Sequence, residues 1–203
     1  MSMRLLLARH GQTDWNDAGK FQGMSDIPLN ALGLEQARLL AERLKNEKID
    51  VIYSSALKRA HKTATIVGES HSIGVVPRED LNERTYGKWD GLTEEEIRDQ
   101  YGEDFDAYCK DRYDVAPTEG ESIKQITQRV AAFLEMVKGE GGTVLVVTHS
   151  GTLRGLLDGL LDYSHEEVAN LRFKQTSLTS LTIVDGKVVL DFVNSTDHLR
   201  GSE

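Results

Sequence analysis

A single cysteine, Cys109, stands in 203 residues. That excludes an intrachain disulfide framework and any zinc site of clustered thiolates. The segment Met1–Ala8 has neither the length nor the cleavage pattern of a secretory leader, so a reducing, cytoplasmic location is expected. No apolar run approaches the ~20 residues that cross a bilayer, and no membrane partner is expected. Basic residues are in deficit, 24 Lys and Arg against 33 Asp and Glu, for a formal charge of −9. That balance argues against a nucleic-acid partner, which needs a clustered basic face. It leaves room for a small anion, whose site must then be built from locally concentrated Arg and His. The histidines show no HxxxH or comparable spacing, so neither a metal nor a cofactor is expected.

The chain nonetheless has what a packed domain needs. Apolar residues make up 39%, with 18 glycines beside them, and no segment is repetitive or of low complexity. The length suits one domain, residues 1–203. Buried strands are predicted at Arg4–Ala8, Val51–Tyr53 and Thr143–Thr148, each a short apolar or β-rich run. Helical stripes lie between them: Leu34, Ala37, Ala41 and Leu44; Ala56, Ala60, Ala64 and Val67; Ile123, Ile126, Val130, Phe133 and Val137. Thr118-x-x-Glu121 matches a capping pattern ahead of the third stripe, and residues 151–161 read as a further helix. Two β-rich runs around Asp185-Gly186 predict a terminal hairpin, whose exposed face is a candidate pairing surface for a homodimer. Residues 92–118, charged and weakly periodic, are expected to form a small helical excursion over the active site. The expected fold class is α/β, a three-layer α/β/α arrangement with a mainly parallel mixed sheet.

Reactive residues fall where these strands end. Arg9-His10-Gly11 closes the first, Ser54-Ser55 closes the second with Arg59 in the helical turn beyond, and His149-Ser150-Gly151 closes the third. Ligands of open α/β sheets bind outside the carboxyl ends of the strands, so His10, Arg9, Arg59 and His149 are expected to converge. Guanidinium forks match phosphate oxygens, and a neutral imidazole is a competent nucleophile. The chemistry that asks for these groups is phosphoryl transfer, with the phosphoryl group passing to His10. Glu83 is the candidate proton donor, although Arg84 beside it could pair with it and Glu79 and Asp80 are also acidic. His61, His71, His165 and His198 read as surface or structural, and Glu94–Glu96 as the solvated first turn of a helix.

Taken in order, the motifs resemble the histidine phosphatase (phosphoglycerate-mutase-like) superfamily. They are Arg9-His10-Gly11-Gln12-Thr13-x-x-Asn16, Phe21-Gln22-Gly23, Pro28-Leu29-x-x-x-Gly33-x-x-Gln36-Ala37, and Tyr53-Ser54-Ser55-x-Leu57-x-Arg59-Ala60. Leu81-x-Glu83-x-x-x-Gly87-x-x-x-Gly91, Gly120-Glu121-Ser122 and Val147-Thr148-His149-Ser150-Gly151 complete them. The resemblance implies that His10 becomes a phosphohistidine, that Arg9, Arg59 and His149 form the phosphate pocket, and that Glu83 gives and takes the proton. It also implies that Asn16, Gln22 and Gly23 contact substrate and that no metal takes part.

Two activities share such a pocket. Glu83-Arg84-Thr85-Tyr86-Gly87 resembles the mutase version of its segment. Mutases, however, follow the second histidine with Gly-Asn, where this chain has Ser150-Gly151, and they are longer. The favoured expectation is a phosphomonoester hydrolase acting on a small phosphorylated metabolite, of the broad-specificity, α-ribazole or phosphoserine phosphatase type. The alternatives are a cofactor-dependent phosphoglycerate mutase and a non-catalytic phosphate-binding regulator; the presence of all five pocket residues speaks against the last.

Overall fold

The computed structural model describes residues 2–199. The chain begins with strand β1 (Ser2–Arg9), a short helix α1 (Asp14–Asp17), helix α2 (Ala31–Leu44), strand β2 (Val51–Ser55), helix α3 (Lys58–His71) and strand β3 (Val75–Arg78). Helices α4 (Glu94–Lys110) and α5 (Ile123–Lys138) follow, then strand β4 (Gly142–Thr148) and helices α6 (Ser150–Asp158) and α7 (His165–Asn170). The hairpin of β5 (Leu178–Val184) and β6 (Lys187–Ser195) comes last. The six strands form one sheet in the order β3-β2-β4-β1-β5-β6. From β3 to β1 the neighbours are parallel, and β5 and β6 are antiparallel additions. The architecture is therefore the three-layer α/β type with a mixed sheet.

Strand alternation divides the core. Leu5, Leu7, Val144 and Val146 face α5 and α6, meeting Ile126, Val130, Phe133, Leu153 and Leu156. Leu6, Ala8, Leu145 and Val147 face α2 and α3, meeting Leu40, Leu44, Ala60, Ala64 and Val67. Both faces of β1 and β4 are thus buried, which is why these strands read as unbroken apolar runs.

The structure adds one strand to the sequence expectations and changes two of them in detail. β3 went unrecognised because Val75–Arg78 is four residues with a proline. It lies at the sheet edge, where a missing N–H is tolerated. The cap of α5 is not Thr118 with Glu121. Ser122 and Gln125 form the reciprocal box, and Thr118 instead bonds Asp104 at 2.6 Å. Helix α6 runs from Ser150 to Asp158, short of residue 161, and passes into a turn in which the Leu161 N–H still bonds the Leu157 carbonyl at 2.8 Å.

The predicted hairpin turn sits at Asp185-Gly186 with both φ angles positive, 48° and 79°, as a two-residue type I′ loop demands. Within residues 92–118, α4 is capped by Thr93 and opens with Glu94, Glu95 and Glu96. It packs Ile97, Phe105 and Tyr108 around the fully buried Trp89, with Phe21 and Tyr86 against them.

Candidate active site

β1 and β4 are parallel neighbours with Arg9 opposite Thr148. The residues that follow each strand therefore emerge side by side, and the His10 and His149 rings stand with centroids 5.0 Å apart. β2 lies on the other side of β4 and delivers Ser55 to the same edge. The cleft there has a volume of about 350 Å³. Every residue assigned to the site from sequence except His149 lines it: Arg9, His10, Asn16, Gln22, Gly23, Arg59 and Glu83. His149 is fully buried against His10 just beneath.

Hydrogen bonds fix both imidazole tautomers. His10 Nδ1 lies 2.6 Å from the Gly11 carbonyl oxygen. A carbonyl only accepts, so Nδ1 carries the proton and Nε2 keeps its lone pair. Burial, and then the charges of Arg59 and Arg9, hold His10 well below the ordinary imidazole pKa, which keeps that lone pair free at neutral pH. For His149 the logic runs through Ser55. Asn82 Oδ1 accepts from the Ala56 N–H and from Ser55 Oγ, which uses the only proton of the hydroxyl. His149 Nε2, 2.8 Å from Ser55 Oγ, must then donate. Its Nδ1 is buried and has no partner. Burial, followed by Arg59, His10 and Arg9, pushes its pKa well down.

The arginines are anchored by carbonyls and not by acids. Arg9 Nη1 donates to Phe173 O at 2.6 Å. Arg59 donates to Ser25 O at 2.7 Å and Gly23 O at 2.8 Å. Burial lowers the Arg9 pKa to about 10, which leaves it protonated at neutrality. Arg9 Nε and Arg59 Nε are buried donors without a protein partner, and His149 Nδ1, equally unpartnered, becomes a third donor once protonated. Such orphans are costly unless something fills them. Their convergence beside a nucleophilic nitrogen describes a pocket for a tetrahedral oxyanion.

Glu83 is not neutralised by Arg84. Its Oε1 accepts from the Arg84 backbone N–H at 2.9 Å, and Oε2 accepts from the Gly151 N–H at 3.2 Å, in the first turn of α6. The Arg84 guanidinium turns away, over the rings of Tyr86 at 4.8 Å and Tyr108 at 5.4 Å. The loop bearing Glu83 is clamped by side chains on three elements. Thr148 Oγ1 bonds Leu81 O, Thr152 Oγ1 bonds Asn82 O, and Arg129 Nη1 bonds the carbonyls of Asp80 and Asn82.

Asn16 lines the cleft while its Oδ1 accepts in the capping box of α1. Gly23 serves mainly through its carbonyl on Arg59. Among residues not assigned to the site from sequence, Arg154, Tyr86 and Ser150 line the cleft. The signal for Arg154 was its position one helical turn after Ser150, which places both on one face of α6. Trp89 is fully buried packing and does not reach the cleft. His61 meets Ser54, His165 stacks on Tyr113 at 3.7 Å, and His198 meets Thr176. Among the described residues no three His, Cys, Asp or Glu side chains gather as a metal site would require, and no helix is long and apolar enough to cross a membrane.

Two histidines, two arginines and a carboxyl group at the strand ends of this sheet define a phosphoryl-transfer enzyme. The histidine phosphatase superfamily (branch 1) matches residues 5–196, and the chain belongs to it. It is 33% identical over 199 residues to phosphoserine phosphatase 1 of Hydrogenobacter thermophilus, covering 97% of this chain and 94% of that one. It is 37% identical over 178 residues to the 2,3-bisphosphoglycerate-dependent phosphoglycerate mutase of Parvibaculum lavamentivorans, covering 82% and 84%. The structure of phosphoserine phosphatase from Entamoeba histolytica in complex with 3-phosphoglyceric acid superimposes with a TM-score of 0.87 at 30% identity, covering 97% and 99%. Phosphatases and mutases both stand among its relatives.

Proposed function

We propose that the chain is a metal-independent phosphomonoester hydrolase that works through a phosphohistidine at His10 on a small phosphorylated metabolite. The observation that carries this reading is the His10 Nδ1–H bond to the Gly11 carbonyl, which leaves Nε2 unprotonated in the cleft. Nε2 attacks phosphorus in line, the P–O bond to the leaving group breaks, and the carboxyl group of Glu83 protonates the departing alkoxide. Arg9, Arg59 and His149 hold the equatorial oxygens. Glu83, now a carboxylate, takes a proton from water, which displaces His10 and releases inorganic phosphate. Arginine charge does here what a metal ion would otherwise do.

Ser150-Gly151 after the second histidine, where mutases carry Gly-Asn, favours hydrolysis over return of the phosphoryl group to a second hydroxyl. His10→Ala is expected to abolish phosphate release from p-nitrophenyl phosphate while keeping the folded circular-dichroism spectrum. Release by the unaltered protein is expected to persist in excess chelator. Residual turnover in the variant would overturn the nucleophile, and chelator sensitivity would overturn the metal-free mechanism. The mutase reading has the Glu83–Gly87 segment and the mutase relatives in its favour. It predicts primer-dependent 2-phosphoglycerate from 3-phosphoglycerate outpacing phosphate release in the same assay.

A further inference from the structure

The mechanism above leaves the Gly33-x-x-Gln36 motif without a role, and it makes no use of Thr63, fully buried one turn after Arg59. Both lead to the nucleophile. The Gly11 carbonyl that holds His10 Nδ1 at 2.6 Å belongs to the Gly11–Gln12 peptide. A peptide is planar, so whatever fixes its N–H also fixes the direction of its C=O. The Gln12 N–H donates to Gln36 Oε1 on α2 at 2.9 Å. The preceding peptide is held in the same way. The Gly11 N–H donates to Thr63 Oγ1 on α3 at 3.1 Å, and that hydroxyl donates to the Arg59 carbonyl at 2.8 Å.

Helix α2 comes this close because its first turn carries a glycine. A Cβ on Gly33 would lie 2.0 Å from the Gln12 carbonyl oxygen, and one on Gly11 would lie 2.4 Å from the Gly33 carbonyl oxygen. Asn30, the N-cap of α2, completes the contact: its N–H bonds Gln12 O and its Nδ2 bonds Gln12 Oε1, both at 3.0 Å. With residues 11 and 12 held between α2 and α3, the Gly11 carbonyl is set toward His10.

The bond it accepts strengthens as the reaction proceeds. When Nε2 attacks phosphorus, the N–P bond forms, the P–O bond breaks, Glu83 gives its proton to the leaving oxygen and Nδ1 keeps its own. The ring therefore takes on positive charge. Burial, Arg59 and Arg9 all oppose that charge, and the Gly11 carbonyl supports it. A hydrogen bond with a charged partner is about twice as strong as a neutral one. The carbonyl thus favours the transition state over the free enzyme, which is what speeds a chemical step.

We propose that Gln36 and Thr63 are positioning residues for the phosphoryl transfer: together they aim the Gly11 carbonyl that fixes the His10 tautomer and supports its ring in the charged state. The inference rests on the phosphohistidine reading.

The test uses Gln36→Met and Thr63→Val, which delete one acceptor and keep its bulk, beside Gln36→Glu and Thr63→Ser, which keep an acceptor. Each deletion is expected to lower kcat/KM for p-nitrophenyl phosphate about tenfold, the scale of one hydrogen bond to a charged group. Competitive inhibition by sulfate, which reads Arg9 and Arg59, should stay nearly unchanged. Gln36→Glu and Thr63→Ser should recover most of the lost rate. Long-range proton–nitrogen correlation spectra of protein labelled at histidine read the tautomer, the His10 signals being those absent from His10→Ala. They should show Nδ1–H in the unaltered protein and an added Nε2–H population in the deletions. A deletion that keeps both kcat/KM and the tautomer overturns the role of its residue and leaves the hydrolase reading standing. Sulfate affinity that falls in step with kcat/KM would mean general disorder of the pocket and would equally overturn the positioning role. Should the unaltered protein release no phosphate, the hydrolase reading falls and the spectra alone decide. If Thr63→Val loses the folded circular-dichroism spectrum, the variants at half-buried Gln36 decide the outcome.

Discussion

His149 holds a bare buried Nδ1 that can donate to an oxyanion only after gaining a proton. Burial depresses its pKa, so it is neutral near pH 7. An arriving dianion raises that pKa, because negative charge nearby favours imidazolium. Between the free and the bound pKa values, binding must then take up a proton, and affinity falls as pH rises through the bound value. Sulfate is a suitable probe because it stays a dianion throughout that range. Calorimetry in two buffers of different ionisation enthalpy should show uptake of about one proton per sulfate, the count set by one imidazole. His149→Gln should abolish the uptake and His10→Ala should retain it. Uptake lost in His10→Ala but kept in His149→Gln would move the proton to His10. At this scale the sequence was legible wherever a residue's type dictates its chemistry. His10, Arg9 and Arg59 line one cleft, with His149 against His10 beneath it, as their places at the strand ends led one to expect. What residue type did not disclose is tautomer, since only the Ser55-Asn82 relay decides which nitrogen of His149 is bare.

The first turn of α6 and the loop carrying Glu83 meet through a glycine. A Cβ on Gly151 would lie 2.4 Å from Glu83 Oε1 and 2.9 Å from Arg84 Cδ. The absent side chain is therefore what lets the carboxyl group dock on the Gly151 N–H. Gly151→Ala should displace Glu83 and lower kcat by as much as about a hundredfold, since a shift near 1 Å at a reacting group can cost that much. The melting temperature should fall by a few degrees at most, because the helix preference for alanine, about 1 kcal/mol, offsets part of the overpacking against Arg84. An unchanged kcat would show that Glu83 does not need this seat. Elements with a strong period or a buried run, such as α5, β1 and β4, were readable from sequence because both of their faces or one long stripe are apolar. β3 and α7 were not. They are four and six residues long, too short for a period to register, and they exist because neighbours supply their partners. The capping error has the same root: two Ser/Thr candidates lay close together, and only the path of the chain after Gly120 selects Ser122.

For the whole molecule, stability and ligand binding are coupled. The fold gathers Arg9, Arg59 and Arg154 on the cleft and Arg112 and Arg172 on the cavity beside it, none paired with a carboxylate among the described residues, so positive charge is concentrated there inside a net negative chain. An oxyanion that binds the folded state alone stabilises it by about 2.7 kcal/mol at a hundred times its dissociation constant. In a chain of this size that is a rise in melting temperature of roughly 5–11 °C. Differential scanning fluorimetry with sulfate and with a chloride control at equal ionic strength tests this. A rise no larger than chloride gives would mean that the pocket is not built for an oxyanion. The sequence by itself determined the α/β class, the strands that end in reactive residues and the family, because these depend on local hydrophobic pattern and on residue type in order along the chain. Tertiary structure alone decided that Arg84 turns from Glu83 to the tyrosine rings, that Arg154 joins the cleft, and that Arg112 and Arg172 face the same space. Those outcomes depend on which residues distant in sequence share a wall, and no local pattern encodes that distance.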